Sequence, residues 1–203
     1  MIKAIIVDLG GVYFENGTKL ALPKIYKVVK SPKEKINEVF EARLRKEGWL
    51  YRLGKLTKEE FWKIAVDKLK IDKKLVPKIR EIWYSSYRPI KGMKELVSEL
   101  RKNYKVIAFS GNIRERVEYL NEKYNLYEDF DDFVLSFNVG YSKENIGFYK
   151  ILLEKIKYKP EECIFVDDWR ENLDIAKGLG MKTILFYTPE QLKFDLRKLD
   201  VKV

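Results

Sequence analysis

The sequence predicts an α/β fold, a parallel sheet core with helices on both faces, interrupted near its start by an all-helical insertion. Three observations predict it. From residue 91 onward, short apolar runs alternate with segments of helical period, the pattern of strands joined by crossover helices. One further apolar run, "IKAIIV" at residues 2 to 7, stands apart from the others, and residues 18 to 88 between them carry helical patterns only.

The elements follow in order. After the first strand, helical segments are expected at "TKLALPKIYKVV", "SPKEKINEVFEARLRK", "TKEEFWKIAVDKLK" and "KKLVPKIREIWYSSY". The third opens with Thr57 and has Glu60 three positions on, a capping box, followed by Phe61, Ile64, Ala65 and Leu69 on one stripe. Beyond "RPIKG" come a helix at 91 to 102, strand "KVIAFS", a helix at 113 to 124 and the short strand "DFVLS". A helix at 147 to 157, strand "CIFVDD", a helix at 170 to 179 and strand "KTILFY" complete the series. The expected organisation is a Rossmann-like core of residues 1–13 and 90–203 with a helical insertion of residues 14–89, its linkers near "YFENG" and "RPIKG". Trp62 and Trp83 fall on helical stripes and read as core.

Composition narrows the chemistry. Histidine is absent, which excludes nucleophiles activated by imidazole and zinc held by imidazole. Cys163 is the only cysteine, too few for a disulfide framework or a zinc ribbon, and it reads as an inert apolar filler in a strand. Catalysis would therefore rest on carboxylates, lysine, hydroxyls or a hard metal ion. The net charge of +10 suits anionic partners, but the basic residues alternate with acidic ones three or four positions apart along helices. That spacing describes a solvated face, so nucleic acid is not the expected partner. No apolar stretch is long enough to span a bilayer, and the N-terminus lacks the pattern of a signal peptide, so a cytoplasmic location without membrane contact is expected. A monomer and a homodimer are equally compatible with the sequence.

In an open parallel sheet, ligands bind beyond the carboxyl ends of the strands. The first strand ends at Asp8, the second at Ser110 and the fourth at Asp167 and Asp168, with Lys143 in the loop after the third. A carboxylate ending a buried strand costs desolvation free energy unless something meets it there. Asp8 either caps the following turn or is delivered to a site.

The stretches "DLGGV", "IAFSGN", "VGYSKENIGFYKILLEKI" and "CIFVDDWRENLDIAKGLGMKTI" resemble, in order, the four motifs of the haloacid dehalogenase-like hydrolase superfamily. The resemblance is to its phosphatase-rich branch, which carries a helical cap after the first motif. It implies a hydrolase acting on a small phosphorylated metabolite through an aspartyl-phosphate on Asp8, with Lys143 and Ser110 in catalysis. It also implies Mg2+ as cofactor, bound by Asp8, Asp168 and the Gly10 carbonyl, with Asp167 and Asn172 behind them or acting through water. Phosphate would be held by Ser110, Gly111, Asn112, Gly11 and Lys143. Arg43, Arg45, Trp49, Tyr51 and Arg52 in the cap either reach the substrate's leaving group or only pack and solvate the cap.

One position departs from the pattern. The branch usually has a second aspartate two residues after the nucleophile, the acid that protonates the leaving group, and this chain has Gly10. Glu15 either stands in for that acid or is an exposed loop carboxylate. The substitution opens two alternatives: a catalytically weak or inactive binding protein of the same fold, and a 2-haloacid dehalogenase, which needs neither that acid nor Mg2+. The Asp167–Asp168 pair argues against the dehalogenase.

Overall fold

A computed structural model describes residues Met1–Val203. The chain opens with strand β1 (Ala4–Val7), then builds helices α1 (Gly17–Val28), α2 (Lys33–Phe40), α3 (Glu47–Arg52), α4 (Lys58–Leu69) and α5 (Val76–Ser85). Next come α6 (Met93–Leu100), β2 (Lys105–Ser110), α7 (Arg114–Tyr124), α8 (Leu126–Asp129), β3 (Asp132–Leu135) and α9 (Ser136–Val139). The last part holds α10 (Ile146–Ile156), β4 (Cys163–Asp167), α11 (Arg170–Gly178), β5 (Lys182–Leu185) and α12 (Pro189–Lys198).

The strands form one parallel sheet in the order β3-β2-β1-β4-β5, so β1 lies at its centre. Alternation along the strands sends Ile5, Val7, Val106, Ala108, Ile164 and Val166 to one face, where α6, α7 and α12 cover them. Ala4, Ile6, Ile107, Phe109 and Phe165 face α10 and α11 on the other. Helices α1 to α5 bury a separate aromatic core in which Phe40, Phe61, Trp62 and Trp83 meet edge to face, tilted or stacked. The capping box at Thr57 and Glu60 is formed at the start of α4. No helix is long and apolar enough to cross a membrane.

The two crossings between the layers run side by side. Glu15 N–H donates to the Arg88 carbonyl at 2.8 Å and Ile90 N–H to the Tyr13 carbonyl at 3.0 Å, with Phe14 opposite Pro89. Glu15 itself pairs with Arg88 at 2.7 Å, as an exposed linker carboxylate.

Two features differ from the periodicity. The second helical segment stops at Phe40, and residues 41 to 46 form a turn in which Arg45 takes a left-handed φ of 50°. The reason is a close crossing: a Cβ at Gly48 would lie 2.6 Å from the Val39 carbonyl, so α3 folds directly back over the end of α2. Helix α12 lies beyond the elements the periodicity predicts; Thr188 and Gln191 cap its start in a box that includes Pro189.

Candidate active site

The carboxyl edge of β1, β2 and β4 gathers the charged residues. Asp8, just past β1, is buried, and its Oδ1 accepts the Leu9 N–H and the Lys143 ammonium, each at 2.7 Å. Asp167, at the end of the neighbouring β4, is wholly buried and accepts Lys143 on Oδ2 at 2.7 Å. Its Oδ1 accepts the Trp169 N–H at 2.8 Å and the Asn172 Nδ2 at 3.0 Å. Lys143 thus clamps two carboxylates, and Asn172 fixes the rotamer of one of them. Oxygens of Asp8, Asp167 and Asp168 lie within 4.8 Å of one another.

Three carboxylates against one ammonium leave the cluster net negative. Burial drives the Asp8 carboxyl upward to about 7; Lys143 draws it down, while Asp167 and Asp168 push it up. Burial and Asp167 also raise Asp168. Burial alone would lower Lys143, but Asp167 and Asp8 outweigh it and raise it above its ordinary value. These are hard oxygen donors with unbalanced negative charge, and Oδ2 of Asp8 accepts nothing from the protein. The set fits a divalent cation such as Mg2+.

Gly11 has a place different from the one its motif suggested. Its N–H donates to the Phe14 carbonyl at 2.7 Å, and a Cβ there would collide with the Asp168 carboxylate. Its φ of 101° also disfavours any side chain. Gly11→Ala is therefore expected to push Asp168 out of the cluster, lowering Mg2+ affinity at least tenfold by isothermal titration and stability by about 1–2 kcal/mol.

Ser110 ends β2 and is buried, with its hydroxyl bonded to no protein group, and the space beside Gly111 is open. Asn112 is turned inward: its Oδ1 accepts the Ile113 N–H at 2.9 Å and Arg116 Nε at 2.7 Å, while its N–H donates to Ser136 Oγ at 3.1 Å. Ser136 in turn donates to the carbonyl of Arg52 at 2.5 Å, tying the loop after β2 to the helical layer.

The turn at 41 to 46 reaches the loops that carry Lys143 and Asp168. Arg43 stacks on Trp169, 2.9 Å from the ring centroid, and Arg45 pairs with Glu144 at 2.9 Å. Tyr51 stacks on Phe61 and donates to Glu115 at 2.6 Å, while Trp49 Nε1 is buried without a partner. Arg52 is buried rather than solvated.

Sequence reasoning missed Tyr87 and Arg116. Tyr87 stands against Gly10: a Cβ at that position would lie 3.4 Å from its ring, so the tyrosine fills the space into which a longer side chain at 10 would project. The signal was the absence of a side chain at 10, which leaves room for a neighbour.

A parallel sheet with a helical layer over an edge of three aspartates and a lysine defines a capped α/β protein with a candidate cation site. The chain belongs to the haloacid dehalogenase-like hydrolases: the model of that family matches residues 2–180. It is 26% identical over 192 residues to D-ribitol-5-phosphate phosphatase of Bacteroides thetaiotaomicron, covering 90% of this chain and 91% of that one. It is also 26% identical over 201 residues to drimenol cyclase drtB of Aspergillus calidoustus, covering 97% of this chain but only 36% of that protein's length. Among solved structures, a variant HAD family enzyme of B. thetaiotaomicron in complex with magnesium and inorganic phosphate superposes with a TM-score of 0.80. That pair is 21% identical, covering 93% of this chain and 95% of the other, a likeness of fold.

Proposed function

We propose that the protein is a Mg2+-dependent phosphatase that hydrolyses a small phosphomonoester through an aspartyl-phosphate on Asp8. The observation that carries this reading is the clamp of Lys143 on Asp8 and Asp167 beside Asp168, at the edge where Ser110 and the open space at Gly111 lie. The named activity of the Bacteroides relative, and magnesium with phosphate in a structure of the same fold, support it.

In this reading Asp8 attacks phosphorus, forming an O–P bond as the P–O bond to the leaving alcohol breaks. Water then attacks the same phosphorus and releases phosphate, regenerating the carboxylate. Asp8 and Asp168 with the Gly10 carbonyl would hold Mg2+, which when bound would offset the repulsion between the anionic nucleophile and the phosphate. Lys143 neutralises the attacking carboxylate, and Ser110 with the Gly111 amide receives the phosphoryl oxygens. Asp167 and Asn172 act from behind, orienting Lys143.

No carboxylate at position 10 donates a proton to the leaving alcohol, and Glu15 is occupied by Arg88. Turnover therefore depends on how well the alcohol leaves unaided. With Mg2+, p-nitrophenyl phosphate is expected to be hydrolysed about 10²–10⁴-fold faster than an alkyl phosphate, the range general acid catalysis supplies, and EDTA is expected to stop both. Absence of Mg2+-dependent release from either substrate would refute the phosphatase and favour a binding protein of the same fold.

A further inference from the structure

Two arginines are buried where the helical layer meets the sheet, and neither is paired with a carboxylate. Arg52, 6% exposed, ends α3; Arg116, 1% exposed, lies in α7, just beyond the loop that follows Ser110. Arg52 has local acceptors: Nη1 donates to the carbonyls of Gly48 at 2.7 Å and Phe40 at 3.2 Å, and Nη2 to Thr18 Oγ1 at 3.1 Å. It caps the buried carbonyl end of α2. Arg116 is less provided for. Its Nε donates to Asn112, its guanidinium lies 4.1 Å from the Tyr87 ring centroid and 5.1 Å from that of Trp83, and its Nη1 is buried without an acceptor.

The surrounding hydroxyls add to the excess of donors. Thr18 Oγ1 accepts Arg52 Nη2 and, at 3.0 Å, Trp83 Nε1, which uses both of its lone pairs. The 2.9 Å contact between Thr18 and Tyr87 must then run from Thr18 to the Tyr87 oxygen, and the Tyr87 hydrogen is left without an acceptor. Tyr84 Oη, nearby in α5, is buried and unpartnered as well. Burial and the facing Arg116 bring Arg52 down to about 10, so it stays charged at neutral pH; burial lowers Arg116 as well, and a guanidinium keeps its proton inside proteins. Burial would raise the Tyr87 hydroxyl, but Arg116 and Arg52 outweigh it and draw it below its ordinary value. Two buried positive charges with spare donors and no carboxylate partner are costly unless an anion joins them.

We propose that Arg116, backed by Arg52 and Tyr87, forms a second anion subsite that recognises an oxyanion on the substrate's leaving group, a carboxylate or a second phosphate. The position suits that role. Arg116 is held by Asn112, two residues from Ser110, and stacks on the ring that packs against Gly10, so the subsite lies one aromatic ring from the nucleophile's own turn. Arg52 comes from the helical layer, so a doubly anionic substrate would bind both layers at once. The assignment rests on the phosphatase reading for the chemistry at Asp8, but not for the binding of the anion.

The test compares kcat/KM for matched pairs: 3-phosphoglycerate against glycerol 3-phosphate for a carboxylate, and fructose 1,6-bisphosphate against fructose 6-phosphate for a second phosphate. At least one anionic member is expected to be preferred about a hundredfold, as a buried charge-assisted contact warrants. In Arg116→Met that preference should fall to within a few-fold. The pair that shows it names the anion.

No preference in the wild type overturns the subsite, while Mg2+-dependent hydrolysis of p-nitrophenyl phosphate would leave the phosphatase standing. A preference that survives Arg116→Met overturns the role of Arg116. If nothing is hydrolysed, thermal shift of the wild type with the same pairs decides alone: selective stabilisation by an anionic member that Arg116→Met loses supports the subsite, and equal shifts refute it. Arg116→Met removes an unbalanced buried charge and should melt no lower than wild type. Should it fail to fold, Arg116→Lys, which keeps charge but loses the planar fork, is read in the same assays and is expected to lose most of the preference.

Discussion

Asp8→Asn is expected to abolish phosphate release, by a factor on the order of 10⁴–10⁶ as for loss of a catalytic nucleophile, and at the same time to raise the melting temperature of the metal-free protein at pH 8. The two effects share a cause. Asp8 ends a buried strand beside Asp167 and Asp168 and has only a share of Lys143, so its carboxyl is raised from 3.8 to about 7. Between those values the folded chain keeps a proton that the unfolded chain gives up, so stability falls as pH rises through that interval and the loss is complete above pH 7. Asparagine removes the ionisation and leaves Lys143 paired with Asp167. Thermal melts from pH 5 to pH 8 should show the wild type losing more stability than the variant, and saturating Mg2+ should raise the wild type more than Asp8→Asn. A variant that still releases phosphate at a tenth of the wild-type rate would eliminate Asp8 as nucleophile.

Lys143→Met is the second large effect. Lys143 is the only cation within reach of Asp8 and Asp167, at 2.7 Å from each, and Asp167 is wholly buried. Methionine is similar in length but leaves those carboxylates without a counter-charge. Removing one partner of such a pair costs about 3–5 kcal/mol, to be measured by urea denaturation at pH 8. At pH 5 the cost is expected to shrink, because the Asp8 carboxyl then carries its proton. Combining Lys143→Met with Asp167→Asn should recover part of the lost stability but none of the activity, since the positive charge toward the phosphoryl group is still missing. Equal stability of wild type and Lys143→Met at pH 8 would show that the clamp does not hold the site together.

How much of this was legible in the sequence follows from how local each signal is. Strands β1, β2 and β4 announce themselves as apolar runs, and the polar residues that end them fall at one sheet edge by the geometry of parallel strands, so Asp8, Ser110, Asp167 and Asp168 were readable as one group. The break after Phe40 was not, because "EARLRKE" continues the helical charge pattern and only the tertiary crossing at Gly48 interrupts it. The resemblance gave Gly11 a place at the phosphate, but not the closeness to Asp168 that forbids it a side chain. Arg116 escaped entirely. In "RERVEYL" it looks like one charge on a solvated helix, and nothing local says that Trp83 and Tyr87, some thirty residues earlier, close over it.

The central place of β1 has a consequence for how the chain is made. Its partners in the sheet begin at Lys105 on one side and Cys163 on the other, so β1, made before either, waits for both. At ordinary synthesis rates the interval from Ala4 to Cys163 is about 10–30 s; "AIIV" has two unpaired edges until β2 is made and one until β4 follows, and the helical layer can form ahead of the sheet. Long-range pairing of this kind also slows refolding. Asp8 is thus the first residue of the site to be synthesised, and it is seated only when β4 arrives with Asp167.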